Sequence, residues 1–247
     1  WGMGGHVIKC GLSPILIDMM REGFIAGIAM NGAAAIHDFE IALNGSTSEE
    51  VEAQLHSGRF GMAEETAEYM NAAINAGVSD GIGLGESLGR FVDVNTEEIG
   101  FQHTDQSILR QAYIASIPVT IHLAIGTDIT HIHPSASGEK LGQGTMRDFK
   151  LLCSMTRQLN KGGVYVNLGS AVILPEVFLK AVSVVRNLGD PLTDFTTANL
   201  DFIQHYRPTQ NVLERPTREG GQAIALTGHH EIMLPLIAAA LKQSGQD

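Results

Sequence analysis

Three groups of residues in the chain have the types and spacing that chemistry needs. They are His37-Asp38, the run Asp128-Ile129-Thr130-His131-Ile132-His133, and His229-His230-Glu231. An imidazole beside a carboxylate can take or give a proton near neutral pH. Each group also has a plainer reading. Asp38 can cap a helix start, and the pair His229-His230 can cap the closing helix. His131-x-His133 with Asp128 could serve a metal-assisted hydrolase or isomerase. No third ligand lies at the spacing of known zinc sites, so no metal is expected there.

The second chemical feature is bare backbone. Gly4-Gly5-His6, Asn31-Gly32-Ala33, Gly169-Ser170 and Gly228-His229 each follow or precede an apolar run. Small-residue turns let a ligand approach main-chain N–H groups closely. No P-loop and no nucleophile elbow is present. No Gly-x-Gly-x-x-Gly is read as following a strand, and Gly81-x-Gly83-x-Gly85 has no strand before it.

Strand-length apolar runs and helical patterns alternate along the chain. Ser13-Pro14 reads as a helix start, and Gly23 ends that helix. A strand is expected over Phe24–Met30, then a helix from about Ala34 to Leu43. Further strands are expected at Ile117–Ile125, Val164–Ala171, Leu192–Ala198 and Ala223–Gly228. Helices are expected at Met62–Ala76, Gln106–Ser116, Thr145–Leu159 and Glu176–Arg186. The glycine-dense run Gly77–Glu86 reads as a flexible loop or active-site edge, and Asn199–Glu219 as irregular. The alternation predicts an α/β fold, a doubly wound and mostly parallel sheet in one domain over 1–247. A helical insertion is expected at about 46–90. The opening Trp1-Gly2-Met3-Gly4-Gly5 reads like the end of a strand whose beginning is missing, so the sequence is expected to be N-terminally incomplete.

In such a sheet the strand-end turns meet along one edge. That would gather Asn31, His37, Asp38, Asp128, His131, His133, Ser170, Thr197, Asp201, Gly228 and His229.

Composition narrows the partners. A net charge of −11 with scattered basic residues argues against nucleic acid and anionic membranes. It leaves room for a small anionic cofactor held by backbone. Cys10 and Cys153 lie far apart and are expected to be reduced, as in a cytoplasmic protein. No apolar run approaches the roughly 20 residues of a membrane span.

Gly4–Leu12, the Asn31–Leu43 turn and helix, Thr127-Asp128, Gly163–Ala171, Thr196-Thr197-Ala198 and Gly228–Leu241 occur in the order and approximate spacing of deoxyhypusine synthase. The resemblance covers nearly the whole chain. It implies a Rossmann-like NAD-binding fold and a homo-oligomer, a dimer or a tetramer of paired dimers. It also implies oxidation of a polyamine with NAD and transfer of its aminobutyl group through a lysine. By position, Gly5, His6, Asn31, Gly32, Ala33, Asp128, Gly169, Ser170, Thr197, Ala198, Asp201, Gly228 and His229 resemble the cofactor-binding segments. His37 and Asp38 resemble the polar pair near the polyamine end, and His37 or Asp128 would take the proton, with His131 beside them.

The chain departs from that pattern in ways that matter. Arg215 falls roughly where the family keeps its lysine, and arginine cannot form an imine. Acids expected near the diamine are replaced by His131 or His133 and by Gln204-His205-Tyr206-Arg207. The expected function is therefore NAD-dependent chemistry on an amine or other small metabolite, not authentic deoxyhypusine synthesis. The alternative is a non-catalytic nucleotide-binding homologue.

Overall fold

The structure, a computed structural model, describes residues 1–244. Six strands form its one sheet: β1 (Gly2–Met3), β2 (Ile28–Asn31), β3 (Val119–His122), β4 (Gly163–Leu168), β5 (Phe195–Asp201) and β6 (Gln222–Thr227). All neighbours pair in parallel, in the order β3-β2-β1-β4-β5-β6. The order reverses between β1 and β4. This is the arrangement of a Rossmann-like doubly wound sheet, and parallel strands of this kind need a helix on each crossover.

The helices are α1 (Gly5–Lys9), α2 (Ser13–Arg21), α3 (Gly32–Asn44), α4 (Val51–Leu55), α5 (Glu64–Ser79), α6 (Leu84–Val94), α7 (Ile108–Ile114), α8 (Gly138–Arg157) and α9 (Ile173–Asn187). Short turns α10 (Tyr206–Pro208) and α11 (Arg215–Thr217) flank a π-helical turn at Thr209–Glu214. The closing helix is α12 (His230–Ser244).

Successive residues of β2 face opposite sides of the sheet, as the period of a strand requires. Met30 enters the larger core with Met3, Leu16, Phe39 and Leu84. Ala29 meets Leu152, Leu174 and Ala181 of α8 and α9. A further cluster on α9 holds Tyr165 stacked on Phe178, ring centroids 3.7 Å apart.

Several elements differ from the sequence expectation. Phe24–Gly27 is irregular with a bend at Ala26, and pairing begins only at Ile28, where β3 arrives alongside. The last strand-pairing residue of β5 is Asp201, and the stretch after it is helical rather than irregular. The run Gly77–Glu86 is not a flexible loop. Gly77 lies inside α5, and Leu84 begins α6. Gly77 and Gly85 serve packing, since a Cβ on Gly77 would overlap the Ser87 hydroxyl and one on Gly85 the Val119 carbonyl, while Gly81, with φ of 89° and open space around it, makes the turn. Helices continue beyond residue 90 through α7, so the helical layer between β2 and β3 is larger than the segment 46–90. Among the described residues, no helix is long and apolar enough to cross a membrane.

Candidate functional site

The carboxyl ends of β1 and β4 meet through main chain alone. Gly4 donates its N–H to the Leu168 carbonyl at 3.0 Å. A Cβ on Gly4 would overlap the Gly169 carbonyl oxygen. Gly169 has φ of 66°, a conformation that side-chain-bearing residues rarely adopt. Its N–H bonds the Leu200 carbonyl, and a Cβ there would fall 2.7 Å from His230 Cε1. Gly2 and Gly4 form a Gly-x-Gly on this strand that the sequence reading passed over. Val7 stands at the third fingerprint position, and Gly2 makes room for the Tyr165 hydroxyl.

At the end of β2, Asn31 is the N-cap of α3, accepting the Ala34 N–H at 2.9 Å. Gly45 closes α3 with φ of 76°. One turn into α3, His37 lies against Gly5, whose Cβ would fall 2.8 Å from His37 Cδ2. His37 Nδ1 is 2.6 Å from Thr47 Oγ1, and Thr47 donates to Glu40. Thr66 also donates to Glu40, at 3.3 Å. Burial alone would raise the Glu40 carboxyl. The His37 imidazole 3.9 Å away and the hydrogen bond from Thr47 outweigh it and hold the group below its ordinary value. The imidazole is thus oriented through Nδ1, and Nε2 has no hydrogen-bond partner among the described residues. Thr47 and Glu40 were not picked out from the sequence. The i,i+3 spacing of His37 and Glu40 on a helix was the available signal, whereas nothing local marks Thr47.

Asp38 points elsewhere. It is 1% exposed. Its carboxylate accepts from the Ser107 hydroxyl and from the N–H groups of Ile108 and Leu109, so it caps α7. Burial pushes it up to about 6 despite those bonds. Asp148, unremarked in the sequence, does the same for α6. One of its oxygens takes the N–H groups of Leu84, Gly85 and Ile121. Burial raises it to about 7.

Asp128 and His131 form a local turn. His131 Nδ1 accepts from the N–H of Gly126 and of Asp128, at 3.1 and 3.3 Å. Its Nε2 lies 3.7 Å from Asp128 Oδ2, and burial raises the Asp128 carboxyl. Both atoms are buried without a hydrogen bond beside a cavity of about 10 Å³ that Gly32 also lines. That is the size of one water with polar partners. His133 turns away to Ser135, at 2.7 Å. Asp128, His131 and His133 do not converge on a common point, which removes the basis of the metal-assisted alternative. Among the described residues, the one group of three metal-ligand side chains is His6, Cys10 and Glu231.

On the other side of the reversal, Ser170 caps α9 through the Leu174 N–H at 3.2 Å. A polar ladder that the sequence reading missed links Asn167 to Asn199 at 2.7 Å and Asn199 to Gln204 at 2.7 Å. Asp201 is the buried last residue of β5, and its carbonyl accepts the Gly228 N–H at 3.1 Å. His229 is exposed and stacks on Phe202. Thr197 and Ala198 are not at this edge. They lie mid-strand, paired with Tyr165 and Val166. Arg215 is held by Asn211 at 2.6 Å, on the run that carries the chain back to the start of β6.

A cleft of about 630 Å³ opens at the amino ends of the strands, among Pro118, Met155, Gly163 and Val164. It is lined mainly by apolar side chains, without an ionisable pair. Directed polar groups and bare backbone lie at the carboxyl edge instead.

No protein-family model matches the chain, and no curated protein does. Solved structures do. A conserved putative LOR/SDH protein from Methanococcus maripaludis S2 is 18% identical with a TM-score of 0.56, over 99% of this chain and 60% of that one. ArgZ, an arginine dihydrolase from the ornithine-ammonia cycle in Cyanobacteria, is 16% identical with a TM-score of 0.53, over 98% of this chain and 29% of that one. AgrE, solved as a ternary complex with ornithine and NAD+, gives 16% and 0.53, over 98% of this chain and 30% of that one. None of these three is a deoxyhypusine synthase. The chain spans about 60% of the first and under a third of the other two. At such identities the likeness establishes the fold: a Rossmann-like α/β sheet shared with these three proteins.

Proposed function

We propose that the chain binds NAD across the β1–β4 reversal and serves NAD-dependent chemistry on a small amine, a basic amino acid or a polyamine. The observation that carries this reading is the strand order with its bare crossing: Gly4 faces Gly169 where no Cβ fits, and next to it His37 and Ala33 stand against Gly5. Dinucleotides bind at such a reversal because the two halves splay apart there and leave main-chain N–H groups uncovered. The AgrE complex with ornithine and NAD+ supports the pairing of cofactor and substrate class by likeness of fold.

Gly5, the main chain of His6, Gly169 and Ser170 would hold the diphosphate, and Asn31, Gly32 and Ala33 the adjoining ribose. Asp201, Gly228 and His229 would close the far side. NAD, when bound, supplies the hydride acceptor for the carbon that bears the amine. The nitrogen loses a proton as the imine forms, and His37 Nε2 takes it. Thr47 and Glu40 hold the ring for that transfer. Asp38 is left out of the chemistry because its carboxylate is already used by α7. Transfer through a lysine is not part of the reading, because Arg215 stands at the corresponding place. As in the resembling family, we expect a homo-oligomer. The exposed Ile224, Ile232 and Leu236 offer it an apolar face.

Thermal unfolding with added NAD tests the reading. Saturation at about 100 times Kd should stabilise the fold by about 2.7 kcal/mol. NADH formation is then followed with ornithine, arginine, lysine, putrescine and spermidine. If NAD leaves the melting temperature unchanged at millimolar concentration, the proposal fails.

A further inference from the structure

Two helices begin at the rim of the carboxyl edge and bring three ligand side chains together from distant parts of the sequence. His6 and Cys10 lie one turn apart at the two ends of α1, so they share a face. Glu231 comes from the first turn of α12, more than two hundred residues later. His6 Nε2 is 3.2 Å from Cys10 Sγ, and Cys10 Sγ is 3.3 Å from Glu231 Oε1. The three ligand atoms all lie within 4.8 Å of one another.

We propose that His6, Cys10 and Glu231 bind a zinc ion, with the fourth position open to solvent. The donor set is one imidazole, one thiolate and one carboxylate, which suits zinc better than calcium or magnesium. The spacing suits it as well. With bonds of about 2.0–2.3 Å, the edges of a tetrahedron are about 3.3–3.8 Å. The side chains need only small rotations to meet that shape. His6 and Glu231 are exposed and Cys10 is half-buried, so the ion is reachable from water.

The site has a structural setting. His230, next to Glu231, is buried against Gly169 and bonds the Leu200 carbonyl at 3.1 Å. Its ring centroid lies 5.6 Å from that of His6. An ion on Glu231 would therefore tie the start of α12 to α1 directly over the β1–β4 reversal. A water or an anionic ligand oxygen could complete the coordination. The inference does not depend on NAD binding, because its ligands are read without any nucleotide.

The test uses the reduced full chain and cobalt(II) as a coloured stand-in for zinc. One equivalent should bind, with a thiolate-to-metal charge-transfer band and the intense visible bands of tetrahedral cobalt. Zinc should bleach both. Cys10→Ser should lose the charge-transfer band, and Cys153→Ser should keep it. His6→Gln and Glu231→Gln should each weaken zinc binding by about tenfold or more. Zinc should slow alkylation of Cys10 and leave Cys153 unchanged. Absence of the band in the reduced wild-type chain overturns the proposal. So does equal metal affinity in Cys10→Ser, or in both His6→Gln and Glu231→Gln, with far-UV circular dichroism showing each variant folded.

Discussion

The ring edge of His37 lies against Gly5, close enough that a Cβ at residue 5 would fall 2.8 Å from His37 Cδ2. The contact joins the second turn of α3, after β2, to the first turn of α1, after β1. It places the unbonded Nε2 of the imidazole beside the strand reversal, while Nδ1 is held by Thr47 and, through it, by Glu40.

His37→Gln is expected to lower turnover by about 10²–10⁴-fold, the usual contribution of a general base. The NAD-induced rise in melting temperature should stay as in the parent chain. Thr47→Ala should lower kcat with KM little changed and should alter the pH profile of kcat, because Thr47 acts only by positioning the ring. Asp38→Ala should behave differently. It leaves two N–H groups and a hydroxyl of α7 without their acceptor, at about 2–4 kcal/mol of stability. Steady-state kinetics beside chemical unfolding separates the two kinds of loss.

Gly4→Ala tests the crossing itself. The added methyl would overlap the Gly169 carbonyl; the methyl is fixed to Cα and the carbonyl is main chain, so neither can rotate aside. A destabilisation of about 1–3 kcal/mol is expected, together with loss of the NAD-induced thermal shift. Gly138→Ala, where the same methyl meets open space, is the control and should change neither. Wild-type NAD affinity in Gly4→Ala would place the cofactor elsewhere.

Asp148 makes stability depend on pH. Burial raises its carboxyl to about 7, so the folded state keeps a proton that the unfolded state has released above the ordinary value of 3.8. The folded chain then binds more protons through that window. Its contribution is full at the acid end and is lost as pH rises through about 7. The raised Asp38 acts in the same direction, to about 6. Asp148→Asn should flatten the slope between about pH 4 and about pH 7, because an amide oxygen can accept the same three N–H groups without a charge. Asp148→Ala should cost about 2–4 kcal/mol across the range, leaving those donors buried and unpaired. Urea unfolding at a series of pH values reads both.

Much of the local structure was legible in the sequence. Although α3 starts two residues earlier than expected and is capped by Asn31 rather than Asp38, the Ser13-Pro14 start of α2 and the apolar runs that become β2 to β5 follow from local residue types. These depend on a residue and its immediate neighbours. Gly77, Gly83 and Gly85 differ from the loop expected over Gly77–Glu86 for the complementary reason. A glycine required by a turn and a glycine required by a neighbouring helix look alike until the neighbour is known. Thr197 and Ala198 were placed at the sheet edge because the end of β5 was set too early, before Asp201.

The sequence by itself determined that strands and helices alternate, that the sheet is parallel and that bare turns recur at strand ends. Only the tertiary structure decided which turns meet. The order β3-β2-β1-β4-β5-β6 brings Gly4 to Gly169 across 165 residues and Cys10 to Glu231 across 221. It also decided that Asp38, next to His37 in the chain, faces away from it into α7. Adjacent residues on a helix point about 100° apart, so what neighbours in sequence share is the backbone and not the site.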